Sequence, residues 1–460
     1  MVMFNAELLT SAKVQDFIKK AFQHKWDALK VSTALAREFS NEERAAIMDY
    51  MELVPKFREK FFSEKNGDAF LLCDRLALEQ STAFDIGHWK SALWLNDQPV
   101  QGTPVQTVHD LCCGMGGDSF FLPDHLNVIG VDLDENRLAM YRYNAEVMRP
   151  KAAQTICADV REVARENSHA QPLNGATPAN SETRADFFTL DPARRAIEGE
   201  NQRDLKNLTP SFEEVLEIAK HYRGGMAKLP PSYPTDEIPG DCEILYLGSR
   251  QDCRELLVLF GELAKHPGCV RAAIVGKKGE TVAEWCEARD AKRETRDKES
   301  QEQFEYNFEL EGKDRIYRTA SSQSDLPLGD LGKYLSEPAP VLLRSHLFGS
   351  TARGFDPDSH LVSEGIAYIS SATPLPAPGF ATFKVLDHCE IASGAVRAML
   401  KAHDVGKLTL KLRGVKVDPD AEIKRLKPKG KNEAILFYTR AQGEKIAILT
   451  TRIKDTLMSS

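Results

Sequence analysis

The chain has 460 residues, of which 42% are hydrophobic and 28% are charged. This balance is typical of folded globular proteins, and the length leaves room for about two to four domains, none of which needs a disulfide or metal for stability. The net charge of −8 excludes a uniformly basic nucleic-acid binder but leaves room for a local basic surface.

Cysteine usage and apolar runs indicate the cellular setting. The nine cysteines are scattered, and none forms a C-x-x-C pair or a Cys/His cluster with zinc spacing. We therefore expect reduced thiols and no metal site, which favours a cytoplasmic protein. The N-terminal residues lack a signal-peptide pattern, and no run of about 18 apolar residues occurs, so the sequence predicts no membrane-spanning segment.

The N-terminal part of the chain favours helices. Apolar residues recur at helical spacing over Val14–Phe22 and again over Ala45–Met51. Ser40 followed by Glu43 predicts a capping box at the start of the second of these helices. Prolines and a glycine then indicate a boundary, so we expect a helical N-terminal region over residues 1–98.

The middle of the chain alternates between two patterns. Short apolar runs are typical of strands and occur in VQTVHDLCC, NVIGVDLD, QTICADV, ADFFTLD, RGGMAKLP, CEILYLGS and CVRAAIVG. Stretches such as ENRLAMYRYNAEVM are typical of helices. Strands that alternate with helices predict an α/β domain with a parallel sheet. We assign residues 99–334 to this domain and residues 335–460, where prolines mark turns, to a third domain.

A glycine-rich turn follows the first of these strands, in VHDLCCGMGGDSFF. Gly114, Gly116 and Gly117 would let the backbone turn sharply and approach a ligand closely, and we expect a helix after them. Ser119 stands where a dinucleotide fingerprint needs its third glycine, and no Walker-type lysine is present. Asp110, at the strand end, would repel a pyrophosphate but attract the ammonium of an amino-acid tail. The turn therefore favours S-adenosylmethionine over NAD or ATP.

Two further acids follow the next two strands. Asp132 closes the strand NVIGVD, 18 residues after Gly114, and its carboxylate could accept hydrogen bonds from both ribose hydroxyls. Asp134 fits the role of cap for the following helix better than Asp132 does. Asp159 suits the adenine amino group of the cofactor, with a plain helix cap as the alternative.

The fourth element is the stretch TLDPARR. Pro192 stiffens the backbone beside Asp191, which we expect at the reacting end of the cofactor, to orient the acceptor or to take its proton. Arg194 and Arg195 are candidates for binding a phosphate or carboxylate of the substrate. A pair of salt-bridging arginines without a substrate role is the alternative.

These four elements, in this order and spacing, resemble motifs I to IV of class I methyltransferases. The segments DPARR and LKLRGVKVDP are the most distinctive parts of a wider similarity, over most of residues 70–460, to a bacterial family of such enzymes with a C-terminal THUMP-like domain. The resemblance implies a Rossmann-like sheet of roughly seven strands with helices on both faces, followed by an α+β THUMP-like domain. True THUMP domains are RNA-binding units of tRNA-modifying enzymes.

The expected reaction is methyl transfer from S-adenosylmethionine to a nucleophile on RNA, such as tRNA or rRNA. Two alternatives stay open: a cofactor-binding RNA scaffold with little turnover, and a small-molecule or protein methyltransferase. Ala193 and Arg194 replace the proline and aromatic residue that base N-methyltransferases commonly carry, which argues against a flipped base stacking there. No cysteine has the sequence context that uridine C5-methylation requires.

Basic residues gather near the C-terminus. Residues 405–460 hold 13 Lys and Arg against six Asp and Glu. In KLTLKLRG, leucines alternate with Lys407, Lys411 and Arg413, which predicts a strand with one basic face, and Ala434–Tyr438 predicts a second strand of the same sheet. The candidates for contact with an RNA backbone are Lys424, Arg425, Lys427 and Lys429. The alternative is a solvated sheet edge that lysines protect from mispairing.

Overall fold

The computed structural model describes residues 5–62, 69–94, 106–149, 153–167, 183–194, 208–289, 316–318 and 326–453. They form two compact units. The first contains the described parts of 1–243, 256–267 and 275–280, and the second those of 244–255, 268–274 and 281–460. Within these described parts, no helix is both long and apolar enough to cross a bilayer.

Six helices open the first unit. They are α1 (Ala6–Thr10), α2 (Ala12–Gln23), α3 (Ala28–Leu35), α4 (Asn41–Phe61), α5 (Arg75–Gln80) and α6 (Phe84–Ser91). Ser40 and Glu43 form the predicted capping box at the start of α4, because each side chain accepts a hydrogen bond from the other residue's backbone N–H. The apolar faces of α1 to α5 bury one cluster that also contains Met115 and Phe120, so the helical region packs against the glycine turn.

Twelve strands and three α-helices follow in the described part of residues 106–318. The strands β1 to β12 are, in order, Thr107–Leu111, Asn127–Asp132, Gln154–Cys157, Phe187–Leu190, Ala193–Arg194, Leu208–Thr209, Gly224–Leu229, Glu243–Gly248, Cys253–Gly261, Cys269–Val275, Thr281–Ala288 and Ile316–Arg318. The helices are α7 (Glu135–Met148), α8 (Val160–Glu166) and α9 (Phe212–Ala219). Strands β5 and β6 pair separately, and the other ten form one sheet in the order β12-β11-β10-β8-β9-β7-β4-β1-β2-β3.

The sheet has the predicted α/β character. Strands β3, β2, β1, β4 and β7 are parallel neighbours, and β9 runs antiparallel to β7. The carboxyl ends of β1 to β4 therefore meet at one edge, where open α/β sheets bind ligands. Ten strands form the sheet instead of roughly seven. The strands that the sequence patterns did not predict are β9, β11 and β12.

The segment after the glycine turn differs from the prediction. It forms a short 3-10 helix, Ser119–Phe121, and the α-helix expected here was wrong. Pro123 follows and cannot continue a helix. The buried Arg149 guanidinium donates hydrogen bonds of 2.9–3.2 Å to the carbonyls of Ser119, Leu122, Pro123 and Leu126. The Ser119 and Pro123 carbonyls also accept from the backbone N–H groups of Leu122 and Leu126, so the arginine is the described donor on which the Leu122 and Leu126 carbonyls depend.

The second unit contains a separate seven-stranded sheet. Its strands β13 to β19 are Tyr334–Pro338, His360–Ser363, Ile366–Ser371, Phe380–Glu390, Val405–Leu412, Asn432–Ala441 and Glu444–Arg452. Its helices are α10 (Pro340–Arg344), α11 (Phe348–Phe355), α12 (Ser393–Ala402) and α13 (Pro419–Leu426). The strand order is β14-β15-β13-β16-β19-β18-β17, and the predicted strand Ala434–Tyr438 lies within β18, beside β17.

Apolar clusters of described residues pack around this sheet. Val396 and Leu400 of α12 and Leu426 of α13 pack with Leu436 and other strand residues in one cluster, which includes the leucines of β17. A second cluster contains Phe383 and other residues of the strands. The helices α12 and α13 therefore share one core with β17 and β18.

Candidate functional site

Four of the predicted site residues lie at one edge of the ten-stranded sheet. Asp110 lies in β1, Asp132 ends β2, Asp159 stands two residues beyond β3, and Asp191 directly follows β4. The four strands are parallel neighbours in the order β3-β2-β1-β4. The fold therefore brings four carboxyl groups, which are far apart in the sequence, to the edge that binds ligands in sheets of this kind.

Asp110 is the most buried of the four, with 3% of its surface exposed. Its carboxyl group accepts a hydrogen bond from the Ser119 hydroxyl, which lies 3.1 Å from the hydroxyl of Tyr141. Burial raises the pKa of Asp110 to about 8, against the lowering effect of the Ser119 hydrogen bond. A neighbouring ammonium would favour the charged form, so this carboxyl group is suited to a cationic ligand.

The three glycines of the turn have different surroundings. Gly114 has a φ of +55°, and a Cβ added to it would meet no heavy atom within 4 Å. This open space would let a ligand approach the backbone. Gly116 has a φ of +96° and packs against Phe120, and a Cβ on Gly117 would lie 2.8 Å from Ser81 Cβ. At Gly116 and Gly117 a side chain would collide with the neighbouring residues. Gly114 is therefore the glycine that the cofactor would approach most closely.

Asp132 holds the turn in place. Its Oδ2 accepts a hydrogen bond of 3.0 Å from the Gly114 N–H, and its Oδ1 accepts one of 3.0 Å from the Asp134 N–H. Asp134 caps α7, in agreement with its predicted role. A carboxylate oxygen accepts more than one hydrogen bond, so Asp132, which is half-buried, retains capacity for ribose hydroxyls.

Asp159 has strong partners within its own chain segment. It caps α8 by accepting a hydrogen bond of 2.9 Å from the Arg161 N–H, and the Arg161 guanidinium donates to the same carboxylate. This side-chain hydrogen bond lowers the pKa of Asp159. The guanidinium also donates to Glu214 at 2.7 Å. Asp159 therefore serves as a helix cap, the alternative that the sequence left open. Its role toward adenine stays a prediction.

Sequence reasoning missed the partner of Asp191. The ammonium of Lys228, in β7, lies 2.6 Å from Asp191 Oδ2. Strands β4 and β7 pair in parallel with Leu190 opposite Ala227. The next residues, Asp191 and Lys228, therefore lie side by side. A signal existed in the sequence, since Lys228 is a charged residue within the otherwise apolar strand GGMAKL.

A second, more deeply buried ion pair lies close to the first. Lys90 of α6 pairs with Asp118, and their side chains are only 4% and 9% exposed. Burial would raise the pKa of Asp118, but Lys90 and Lys228 hold it well below its usual range. The Thr82 hydroxyl connects the two pairs, because it lies 3.3 Å from the Lys90 ammonium and 3.4 Å from that of Lys228.

The remaining candidates lie elsewhere. Arg194 belongs to β5, while its side chain and the whole of Arg195 are outside the described residues. Lys424 and Arg425 lie in the last turn of α13, Lys427 caps that helix, and Lys429 follows it, all of them exposed. Within the ranges that the structure describes, no group of three or more His, Cys, Asp and Glu is arranged to hold a metal ion.

The predicted basic face of β17 needs a correction. Lys411 is not a freely exposed residue of that face, because its ammonium pairs with Glu337 and lies 5.1 Å from the ring centre of Phe383. The Arg413 guanidinium lies over the ring of Tyr368 at 5.3 Å. Aromatic rings of the strand cluster thus contact both cations. Lys407, the third residue of the predicted face, is exposed and pairs with Glu433 at 3.0 Å, and further exposed basic residues lie in and after α13.

Comparisons with known proteins agree with this architecture. Residues 381–452 match the family described as THUMP domain-like. An uncharacterized S-adenosylmethionine-dependent methyltransferase of Mycobacterium tuberculosis CDC 1551 is 25% identical over 386 residues, which cover 82% of this chain and 87% of the relative. Its counterpart from strain H37Rv matches equally well.

A solved structure matches along the whole chain. It is assigned as a methyltransferase of Porphyromonas gingivalis W83, and it superposes with a TM-score of 0.65 over 99% of this chain and 100% of its own, at 17% identity. The match shows a common fold. The predicted Rossmann-like methyltransferase fold and the THUMP-like region at the C-terminal end are confirmed.

Proposed function

We propose that this chain is an S-adenosylmethionine-dependent methyltransferase whose acceptor is RNA. The enzyme class and the cofactor were both predicted from the sequence, and the relatives from Mycobacterium tuberculosis bear both in their names. This part of the prediction is confirmed. RNA as the acceptor is the further step, supported by the THUMP-like match and by the exposed basic residues near α13.

The observation that carries the proposal is the row of carboxyl groups beside open space at Gly114. S-adenosylmethionine has a cationic amino-acid tail, two ribose hydroxyls and an adenine amino group. We assign the ammonium to Asp110, the hydroxyls to Asp132 and the amino group to Asp159. The bound cofactor supplies an activated methyl group, and the protein has to align the acceptor with it and exclude water.

The RNA-binding surface is assigned to the exposed side of α12 and α13. The Arg397 side chain of α12 donates a hydrogen bond of 2.8 Å to the Arg425 carbonyl at the end of α13, which ties the two helices together. The exposed cations around this contact are Arg397, Lys401, Lys424, Lys427, Lys429 and Lys431. Their positive charge opposes the net charge of the chain and fits the phosphates of a nucleic-acid backbone.

Methyl transfer into separated cell fractions tests the proposal directly. RNA, protein and small molecules from cells that lack the protein are each incubated with purified enzyme and S-adenosylmethionine that carries a labelled methyl group. We expect label in RNA, and nucleoside analysis then identifies the methylated atom. Label confined to protein or small molecules would exclude RNA as the acceptor.

The basic residues near α13 provide the second test of RNA binding. Changing Lys424, Lys427 and Lys429 to Gln should weaken binding of a tRNA mixture and lower the slope of log Kd against log salt by about two, since each lost phosphate contact removes roughly 0.7–0.9. Arg425 is left in place because it donates to the buried carboxylate of Glu422 and thus holds α13.

Three exposed lysines of the first unit serve as the matched control for this loss of charge. Changing Lys20, Lys56 and Lys277 to Gln removes the same charge from other surfaces and should leave the salt slope nearly unchanged. Cofactor affinity should stay the same in both triple variants. A full salt slope in the α13 variant would show that RNA, if bound, uses another surface.

A further inference from the structure

We propose that Lys228 is a positioning residue that holds Asp191 toward the acceptor, and that residues 80–82 of the N-terminal helical region complete this part of the active site. The inference deepens the proposed function and rests on methyl transfer at this sheet edge. It does not depend on whether the acceptor is RNA, because Lys228 would act through Asp191 on any acceptor.

The geometry begins with the Lys228 ammonium, which contacts groups from two parts of the chain. It lies 2.6 Å from Asp191 Oδ2 and 3.4 Å from both the Gln80 carbonyl and the Thr82 hydroxyl. The Lys228 side chain is only 17% exposed, so its ammonium has little freedom to leave these partners. A short charge-assisted contact from a confined donor fixes the direction of the carboxylate that accepts it.

The N-terminal segment that provides these contacts is itself fixed to the glycine turn. The Asn144 side chain bonds both backbone groups of Leu72 and donates to the Met115 carbonyl at 3.0 Å. Gly117 packs against Ser81, and Lys90 pairs with Asp118 directly after the turn. The same segment therefore contacts the cofactor turn on one side and the Lys228–Asp191 pair on the other.

This arrangement defines what Asp191 can do. A carboxylate paired with an ammonium is a weaker proton acceptor than an unpaired one, but it remains a well-directed acceptor of hydrogen bonds. Asp191 therefore orients the N–H or O–H of the acceptor. During transfer, the acceptor's lone pair forms the bond to the methyl carbon, the carbon–sulfur bond breaks with its electrons remaining on sulfur, and the acceptor proton leaves to water.

Kinetics of Lys228 variants test this role on the cell fraction that the wild type labels. Lys228→Gln should lower kcat by about 10–100-fold, in line with the cost of a misplaced reacting group, while the Kd for S-adenosylmethionine changes by less than about twofold. Lys228→Arg keeps the cation and should recover part of kcat. Thr82→Val removes the hydroxyl that contacts both Lys228 and Lys90, at nearly constant shape, and should lower kcat by a few-fold.

A double variant separates positioning from a general structural role. If Lys228 acts through Asp191, Lys228→Gln should add no further loss in kcat to Asp191→Asn. Lys220→Gln is the control, because this exposed lysine of α9's C-terminal end pairs only with Glu217 among its described contacts and should leave kcat unchanged. Unfolding midpoints of all variants are measured alongside.

The outcomes that contradict the inference are distinct from those that contradict the proposed function. Unchanged kcat in Lys228→Gln, additive losses in the double variant, or an equal loss of cofactor affinity would overturn the positioning role. Label confined to protein or small molecules would overturn RNA as the acceptor. The kcat of the Lys228 variants would then be measured with that fraction as the acceptor. If the wild type labels no fraction, both the proposed function and this inference fall.

Discussion

Asp110→Asn is expected to stabilise the cofactor-free protein at pH 8 while it weakens cofactor binding strongly. The pKa of Asp110 is about 8 in the folded protein, because burial disfavours the charge. In the unfolded chain an aspartate has a pKa of about 3.9. The folded state therefore holds a proton that the unfolded state has lost between about pH 4 and pH 8, and stability falls as the pH rises through this interval.

The expected gain follows from the size of this shift. About four pKa units at 1.36 kcal/mol each correspond to about 5 kcal/mol of unfolding free energy at pH 8 and above, and to almost none near pH 4. Asparagine does not titrate, and its side-chain oxygen can still accept the hydrogen bond from Ser119. The unfolding free energy of the variant should thus exceed that of the wild type most at high pH, and the difference should disappear at low pH.

Urea unfolding at several pH values, without cofactor, measures this difference. Asp16→Asn, at an exposed position of α2, is the matched control and should show no such trend. Calorimetry with S-adenosylmethionine should show at least a tenfold weaker Kd for Asp110→Asn, since a charge-assisted bond of about 1.5–3 kcal/mol is lost. A gain that is independent of pH, or full cofactor affinity in the variant, would contradict the assignment of Asp110.

The features that the sequence predicted well depend on neighbouring residues. Strands β1 to β4 are short apolar runs with an acid at or close to the carboxyl end, and the parallel order of the strands then brings the acids together. The capping box of Ser40 and Glu43 spans four residues and was predicted for the same reason. Strand β9 was missed because its run LLVLF is continuously apolar, and such a run has no period that distinguishes a strand from a buried helix.

The ion pairs of the site could not be derived from local pattern. Lys228 and Asp191 are 37 residues apart, and Lys90 and Asp118 are 28 residues apart, so each pair exists only once the chain has folded. The alternation of apolar and basic residues in β17 correctly placed its leucines and Lys411 on opposite faces, since successive residues of a strand face opposite sides. It could not show that Glu337 and aromatic rings lie opposite Lys411.

Arg149→Met is expected to be strongly destabilising, because it removes the single side chain that binds four backbone carbonyls of residues 119–126. Methionine retains an apolar stem but donates no hydrogen bond. The Ser119 and Pro123 carbonyls still accept from the backbone N–H groups of Leu122 and Leu126, so the carbonyls that lose their described donor are those of Leu122 and Leu126. A buried polar group left unsatisfied costs about 1–3 kcal/mol, so these two together should cost at least about 2 kcal/mol of unfolding free energy. In Arg149→Lys, one compact ammonium replaces the planar guanidinium and its fork of donors, so this variant should recover only part of the lost free energy.

Urea unfolding of Arg149→Met, beside Arg142→Met as the control, measures this effect. Arg142 lies in the middle of α7, where it pairs with Glu135 at the surface and donates to the Thr155 hydroxyl at 3.0 Å, and its replacement should cost about 1 kcal/mol or less. A similar small loss for Arg149→Met would show that water replaces the guanidinium at these carbonyls.

The same change should also affect Asp110. Ser119 belongs to the segment that Arg149 holds, and its hydroxyl donates to the Asp110 carboxyl group. If the segment loosens, water reaches this carboxyl group, and the burial that raises its pKa is reduced. The stability of Arg149→Met should therefore fall less steeply between pH 4 and pH 8 than that of the wild type. A parallel pH dependence in the two proteins would mean that the surroundings of Asp110 are fixed independently of Arg149.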